Sequence, residues 1–344
     1  MNLFIKNSLI LRGREELYIN FYEDSLVMYG TPEESSGCVL GGHVHLNLTE
    51  FLVTKGITLR FVGKTEIFAS YKTPKQTYIL IDRSWPLVRP NRDKCYLPPN
   101  KYRFDFEIPV SGRLPESVQV PGGVIEYTLY AEVEKAGLHF NIQVGKTVLL
   151  KRAPHPISEC YLTPSATSIS WLKERILCRM STEMPVYDQH EQIMVEIKIH
   201  FLESIIKIKR IELALQEIIS YPTYDGSLVK NSKIIAKTDR ISMAIRDFAY
   251  ETSASLSIPD TAFYDSTTKY IRVRHNIIGK LFFNDHVFNG SELHLNLPIV
   301  LRSREQSELL EILPSYRMED EPPSYSPNIE HGVSSNSSST PPSL

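Results

Sequence analysis

The stretch "VIEYTLYAEVE", residues 124–134, decides the fold. Ile125, Tyr127, Leu129, Ala131 and Val133 alternate with Glu126, Thr128, Tyr130 and Glu132. Successive side chains of a strand point to opposite faces, so this run reads as a β-strand with one face in a core and one toward water. A core-facing helix would instead repeat its apolar residues at steps of three and four. The same period recurs along the chain. "HVHLNLTE" (43–50) alternates Val44, Leu46 and Leu48 with His43, His45 and Asn47, and "GITLRFVGK" (56–64) sets Ile57, Leu59 and Phe61 against Thr58 and Arg60. Further on, "QIMVEIKIHF" (192–201) gathers Ile193, Val195, Ile197, Ile199 and Phe201 on one side. "KYIRVRHNIIGKLFF" (269–283) does so with Ile271, Val273, Ile277 and Leu281, and "SELHLNLPIVL" (291–301) with Leu293, Leu295, Leu297 and Ile299. One run slips: Ile206 and Ile208 share a parity, and Ile211, Leu213 and Leu215 take the other. Such a slip turns a core face to solvent, and a β-bulge near Lys209–Arg210 restores it. Helical period is faint, around Pro74–Leu80, Trp171–Met180 and Lys237–Ala249.

Turn signals separate the runs: "YGTPEESSG" (29–37), "SGRLPES" (111–117), "VPGG" (120–123), "SYPTYDGS" (220–227) and "SIPDT" (257–261). Many short strands punctuated by Gly and Pro predict an all-β protein of immunoglobulin-like sandwiches. Residues 151–170, "KRAPHPISECYLTPSATSIS", have three prolines and little periodicity, which marks a linker. The expected division is a β-sandwich over 1–152, a linker over 153–168, a second β-sandwich over 169–303 and a tail over 304–344. Residues 319–344 carry four acids, no Lys or Arg and the run "SSNSSST". Such a segment cannot offset its ordering entropy by apolar burial, so the tail is expected to be disordered.

The 344 residues carry 38 Lys and Arg against 40 Asp and Glu, a net charge of −2, which predicts no broad attraction to nucleic acid. The four cysteines, Cys38, Cys95, Cys160 and Cys178, form no C-x-x-C pair and read as free thiols of a cytoplasmic protein. Lys6 breaks the short apolar run near the start, so no signal peptide is expected. No run reaches the 18 or so apolar residues of a membrane span. No P-loop, dinucleotide fingerprint or nucleophile elbow is present, and no catalytic residue, cofactor or metal is expected. His43 and His45 form an H-x-H on one strand face without further ligands nearby. His275 falls on the apolar face of its strand and reads as a satisfied interior group. Lys198, Lys207, Lys209 and Arg210 read as a solvated strand face before a basic stripe for anionic lipid.

The tail holds two tetrapeptides of one shape, Leu313-Pro314-Ser315-Tyr316 and Pro322-Pro323-Ser324-Tyr325. Pro322 and Pro323 favour polyproline II, a conformation with little freedom left to lose on binding. WW domains dock such segments in aromatic-lined grooves, and Tyr325 supplies a flat ring with a polar tip. Leu313 replaces the first proline in the other copy. Tyr316 and Tyr325 lie nine positions apart, a reach of roughly 30 Å when extended, about the width of a small domain: either a tandem pair of WW domains just engages both, or the two sites compete. Ser326-Pro327 and Thr340-Pro341 fit proline-directed kinases, making Ser326 and Thr340 candidate phosphorylation sites.

The ordered set of stretches resembles the arrestins, and among them the fungal α-arrestins or arrestin-related trafficking adaptors. The resemblance rests on residues 33–66 with "x-V-x-L-x-L" and "I-x-L-x-F-x-G", on 102–135 with Phe-x-Phe and Leu114-Pro115-Glu116-Ser117, and on "MPVYDQHEQIMVEIKIHF" with "IKIKRIELALQEIISY". "KYIRVRHNIIGKLFF" and "LHLNLPIVL" resemble the closing strands. It implies a tandem sandwich that works as a non-catalytic adaptor, binding membrane transporters or receptors as cargo. Through its Pro-x-Tyr motifs the adaptor would bring a HECT-type ubiquitin ligase with WW domains, promoting ubiquitination, endocytosis and vacuolar sorting. The chain would be cytoplasmic, recruited to plasma membrane or endosomes, with peripheral membrane association at most. The alternative is a ligase-independent, retromer-like sorting subunit or a signalling scaffold. No counterpart of the charged polar core of visual arrestins is legible. Truncation at residue 305 is expected to leave the melting temperature nearly unchanged in calorimetry, and a large loss would mean that the tail packs on the body.

Overall fold

A computed structural model describes residues 10–12, 15–68, 74–89, 94–137, 141–153, 164–171, 175–202, 208–222, 226–238, 241, 244–246, 249–283 and 292–302. Twenty-three strands and no helix lie among these residues. Every strand pairing stays within residues 10–153 or within 165–302.

In the first unit, β1 (Ile10–Arg12), β2 (Glu15–Phe21), β4 (Cys38–Leu48) and β8 (Asn100–Val110) form a sheet in the order β1-β2-β4-β8. The second sheet has the order β11-β10-β5-β6, with β5 at Leu52–Ile67, β6 at Gln76–Val88, β10 at Gly123–Lys135 and β11 at Ile142–Val148. Short strands β7 (Cys95–Leu97) and β9 (Val118–Val120) pair with β5 and β10. A parallel pair, β3 (Leu26–Tyr29) and β12 (Leu150–Ala153), completes the unit. The period of residues 124–134 becomes geometry on β10, where Ile125, Tyr127, Leu129, Ala131 and Val133 are all wholly buried. Leu17, Val44 and Leu46 from the other sheet meet the same core. Burying each large side chain of this kind contributes about 1.5–3 kcal/mol.

In the second unit, β13 (Ser165–Trp171), β14 (Ile176–Thr182), β16 (Gln192–Phe201), β20 (Ala249–Ser257) and β19 (Ala244–Arg246) form one sheet in that order. The other runs β15 (Val186–Asp188), β23 (Glu292–Arg302), β22 (Arg272–Phe283), β17 (Ile208–Pro222) and β18 (Leu228–Thr238), with β21 (Ser266–Thr267) on β22. The expected bulge is present: the β17–β22 register shifts between Ile208 and Arg210. Residue 209 is skipped, so Ile208 and Ile211 both reach the core, and Arg210 lies over the Phe282 ring at 3.8 Å.

Two readings are corrected. The stretches with faint helical period hold strand and irregular structure, and no helix, where described: Gln76 opens β6, Trp171 closes β13, Ile176 opens β14 and Thr238 closes β18. Pairing partners on both sides outweigh a weak local period. Part of the stretch read as linker, from Ser165, forms the edge strand β13, which needs only one row of partners.

Gly63 on β5 shows how tightly the first core is set. A Cβ there would lie 2.4 Å from Tyr127 Cε1 and 2.9 Å from Ile81 Cγ2. The Tyr127 hydroxyl donates to Pro115 O at 2.7 Å, so the ring cannot swing aside without losing that bond. Gly63→Ala is expected to destabilise the chain by about 1–3 kcal/mol, read as a lower urea midpoint at constant slope.

Candidate functional site

The two sandwiches meet along β17 and β22 of the second, whose side chains pack into both cores. On β17 the inward face reads Ile211, Leu213, Leu215, Glu217, Ile219 and Tyr221, all buried. Its partner β22, preceded by Ile271, presents Leu281, Ile277, His275, Val273 and Ile271, also buried. Ile211, Leu213, Leu215, Ile277 and Leu281 belong to the second core, whereas Ile219, Tyr221, Ile271 and Val273 pack into the first. Between the sets lies one polar row, Glu217 directly opposite His275. The paired strands therefore run as a beam from one core into the other. Its end abuts Gly123, where a Cβ would meet Ile271 Cδ1 at 2.8 Å and Tyr221 Cε1 at 3.0 Å. The Tyr221 hydroxyl donates to Pro121 O, and burial pushes its own ionisation up to about 12.

Around the polar row the chain builds a charged cluster. His275 Nδ1 is 2.6 Å from Asp265 Oδ1, and Nε2 is 3.5 Å from Glu217 Oε2, within ion-pair reach but off the geometry of a hydrogen bond. Burial works to lower the His275 pKa, and the two carboxylates outweigh it, so the net shift is upward. Asp265 is pushed up by burial, against the opposing pull of His275. Its Oδ1 also accepts the Leu301 amide at 3.0 Å, and Glu217 Oε2 accepts the Phe263 amide at 2.9 Å. One residue beyond Asp265, the Ser266 hydroxyl crosses to the first unit and donates to Glu116 Oε1 at 2.6 Å. Burial raises the Glu116 pKa. Nearby, Arg152 at the end of β12 donates to Gly30 O at 2.8 Å, Gly112 O at 2.6 Å and Leu114 O at 3.0 Å, tying two turns of the first unit, 29–37 and 111–117, to β12. A cleft of about 1470 Å³ opens beside this cluster, with Arg113, Glu116, Arg152, Asp265, Lys269 and Arg302 among its walls. The His275 side chain is wholly buried, so the Asp–His pair orients the protein interior and offers no nitrogen to a solute.

The residues singled out from sequence fall elsewhere. Leu313, Pro314, Tyr316, Pro322, Pro323, Tyr325, Ser326 and Thr340 lie outside the described residues, as do Cys160 and Lys207. His43 and His45 sit on β4 with rings edge to face at 4.5 Å, and Tyr18 stacks on His45 at 4.7 Å. Burial and the neighbouring Arg103 lower the His43 pKa. Among the described residues no group of three or more His, Cys, Asp or Glu could hold a metal ion. Lys198 lies on β16, 3.9 Å from Glu251, and Arg210 lies on β17 in the other sheet, 2.7 Å from Glu212, so the basic residues do not line up as one stripe. Cys38, Cys95 and Cys178 are free thiols, and burial pushes Cys178 up to about 12.

Two β-sandwiches whose cores are bridged by β17 and β22 define a tandem-sandwich class of protein. Residues 173–305 match the family model of the arrestin (or S-antigen) C-terminal domain. The chain is 23% identical over 296 residues to an arrestin domain-containing protein of Schizosaccharomyces pombe, covering 81% of this chain and 50% of that protein. It is 23% identical over 257 residues to a protein of the same yeast named an arrestin-related trafficking adapter, covering 66% and 50%. It is 25% identical over 320 residues to an Aspergillus terreus protein named a HECT-type ubiquitin ligase-interacting protein, covering 82% and 53%. The chain spans about half the length of these relatives. Residues 173–305 are thus similar to an arrestin C-terminal domain, and the chain as a whole is similar to fungal arrestin-related proteins.

Arg152→Met would keep the apolar stem and remove all three donors, leaving the carbonyls of Gly30, Gly112 and Leu114 without them. A loss of about 2–4 kcal/mol is expected in urea unfolding, because hydrogen bonds from a charged donor are worth more than neutral ones.

Proposed function

We propose that this chain is a non-catalytic adaptor: its two sandwiches, 1–152 and 169–303, engage membrane protein cargo, and the segment after them recruits the WW domains of a HECT-type ubiquitin ligase. Ubiquitination of the cargo then drives its endocytosis and vacuolar sorting. The observation that carries this reading is the pair of Pro-x-Tyr motifs, Leu313–Tyr316 and Pro322–Tyr325, placed after an arrestin-related body. The name of the Aspergillus relative, which states interaction with a HECT-type ligase, supports it. On this reading the chain works from the cytoplasm at the plasma membrane or endosomes. Proline-directed phosphorylation of Ser326 would place a doubly charged group beside the Tyr325 ring.

Titration of a peptide of residues 308–332 against single and tandem WW domains tests the reading. Tyr325→Ala removes the ring that fills one pocket and is expected to weaken binding roughly 30-fold, a loss of about 2 kcal/mol. Tyr316→Ala is expected to cost little on a single WW domain and more on a tandem pair, where the second contact is intramolecular. Wild-type affinity in the Tyr325→Ala peptide would remove the main support for ligase recruitment.

A further inference from the structure

We propose that Glu217, His275 and Asp265 form a proton-dependent seam between the two apolar cores, closed while the imidazole holds its second proton and loosened when that proton leaves. The geometry places a single titratable row where β17 and β22 pass from one core to the other. On one side of the row lie Leu215 and Ile277, on the other Ile219 and Val273. Continuous apolar packing would have made the beam insensitive to pH. A buried histidine flanked by two carboxylates makes its middle depend on one proton.

The groups around His275 set the direction. Glu217 faces it from β17, and Asp265 faces it from the segment between β20 and β21. β23 offers the apolar Ile299 as its register partner. From the first unit, Glu116 is reached through Ser266, and Arg152 acts electrostatically on Glu116. Arg274, next on β22, favours the ionised form of Asp265. With the imidazolium present, one cation lies between two buried carboxylates. Without it, the two acids face each other across a neutral ring, and buried like charges are strongly unfavourable. The folded-state pKa of His275 is raised. Its contribution is therefore fully present below the unfolded value, about 6.5, and is lost as pH climbs through the folded value.

The segment held by the row is the one that touches the first unit. Asp265 precedes Ser266, whose hydroxyl reaches Glu116, and Phe263 and Tyr270 pack against the first core. Tyr270 meets Tyr78 with ring centroids 5.4 Å apart. Loss of the proton frees Asp265 from its cation and loosens the anchor of Phe263–Ile271 on the first unit.

Hydrogen exchange of the full chain, corrected for the intrinsic pH dependence of amide exchange, reads this directly. Between pH 6 and pH 9, opening of residues 263–275 is expected to rise about tenfold, while residues 57–67 on β5 stay unchanged. His275→Gln keeps a polar side chain but cannot titrate, and is expected to show equal opening at both pH values. An unchanged wild type, or a His275→Gln chain with the same pH response, overturns the proposal. If His275→Gln does not fold, imidazole NMR of the wild type decides: a His275 ring already neutral at pH 6 overturns it, and titration above pH 6.5 supports it. No ligase enters the measurement, so failure of the seam and failure of ligase recruitment are separate results.

Discussion

Ile219, Tyr221, Ile271 and Val273 belong to the second sandwich by chain and to the first by packing. Most of the architecture follows from that constraint. β17 is 15 residues long and β22 is 12, and their length lets each place residues in both cores. Gly123 has no side chain because the end of this beam leaves no room for one. The carbonyl of Pro121 finds its donor in the Tyr221 hydroxyl instead of a backbone amide. The two units thus share buried surface through β17 and β22, which are ladder-paired to each other.

The charged cluster is the cost of joining the cores in this way. Where two apolar interiors meet, loops from both units converge, and their backbone groups need partners away from water. Asp265 supplies one to the Leu301 amide, Glu217 to the Phe263 amide, and Arg152 to three carbonyls. These charges act first as hydrogen-bond fillers of irregular backbone. Their mutual arrangement then makes the junction electrostatically sensitive in a way neither core is, since low-dielectric surroundings strengthen each interaction within it.

The sandwich fold was legible because period two states which side of a strand is buried. It predicted Ile125 to Val133 on β10, the bulge beside Lys209 on β17, and His275 as an interior group. It could not show that the face carrying His275 changes cores at that residue, because the alternation of Leu215, Glu217 and Ile219 runs on without a break. The cluster stayed hidden for a different reason. Glu116, Arg152 and the Asp265–His275 pair come from separate parts of the sequence, and each alone looks like an ordinary polar residue of a turn or strand. Glu116 stood in view within Leu114-Pro115-Glu116-Ser117, yet its partner Ser266 lies 150 positions on. The Pro-x-Tyr motifs are the reverse case. Their reading rests on four neighbouring residues and on no contact across the fold.

The beam has a further consequence for inheritance. Halves that met only through a flexible connector could be exchanged between related genes as cassettes. Here a transplanted second half would bring Tyr221 and Ile271 into a foreign partner, whose own counterpart of Gly123 would have to leave the same gap. The two halves are therefore expected to have diverged together, as the two sides of a mortise joint are cut to each other.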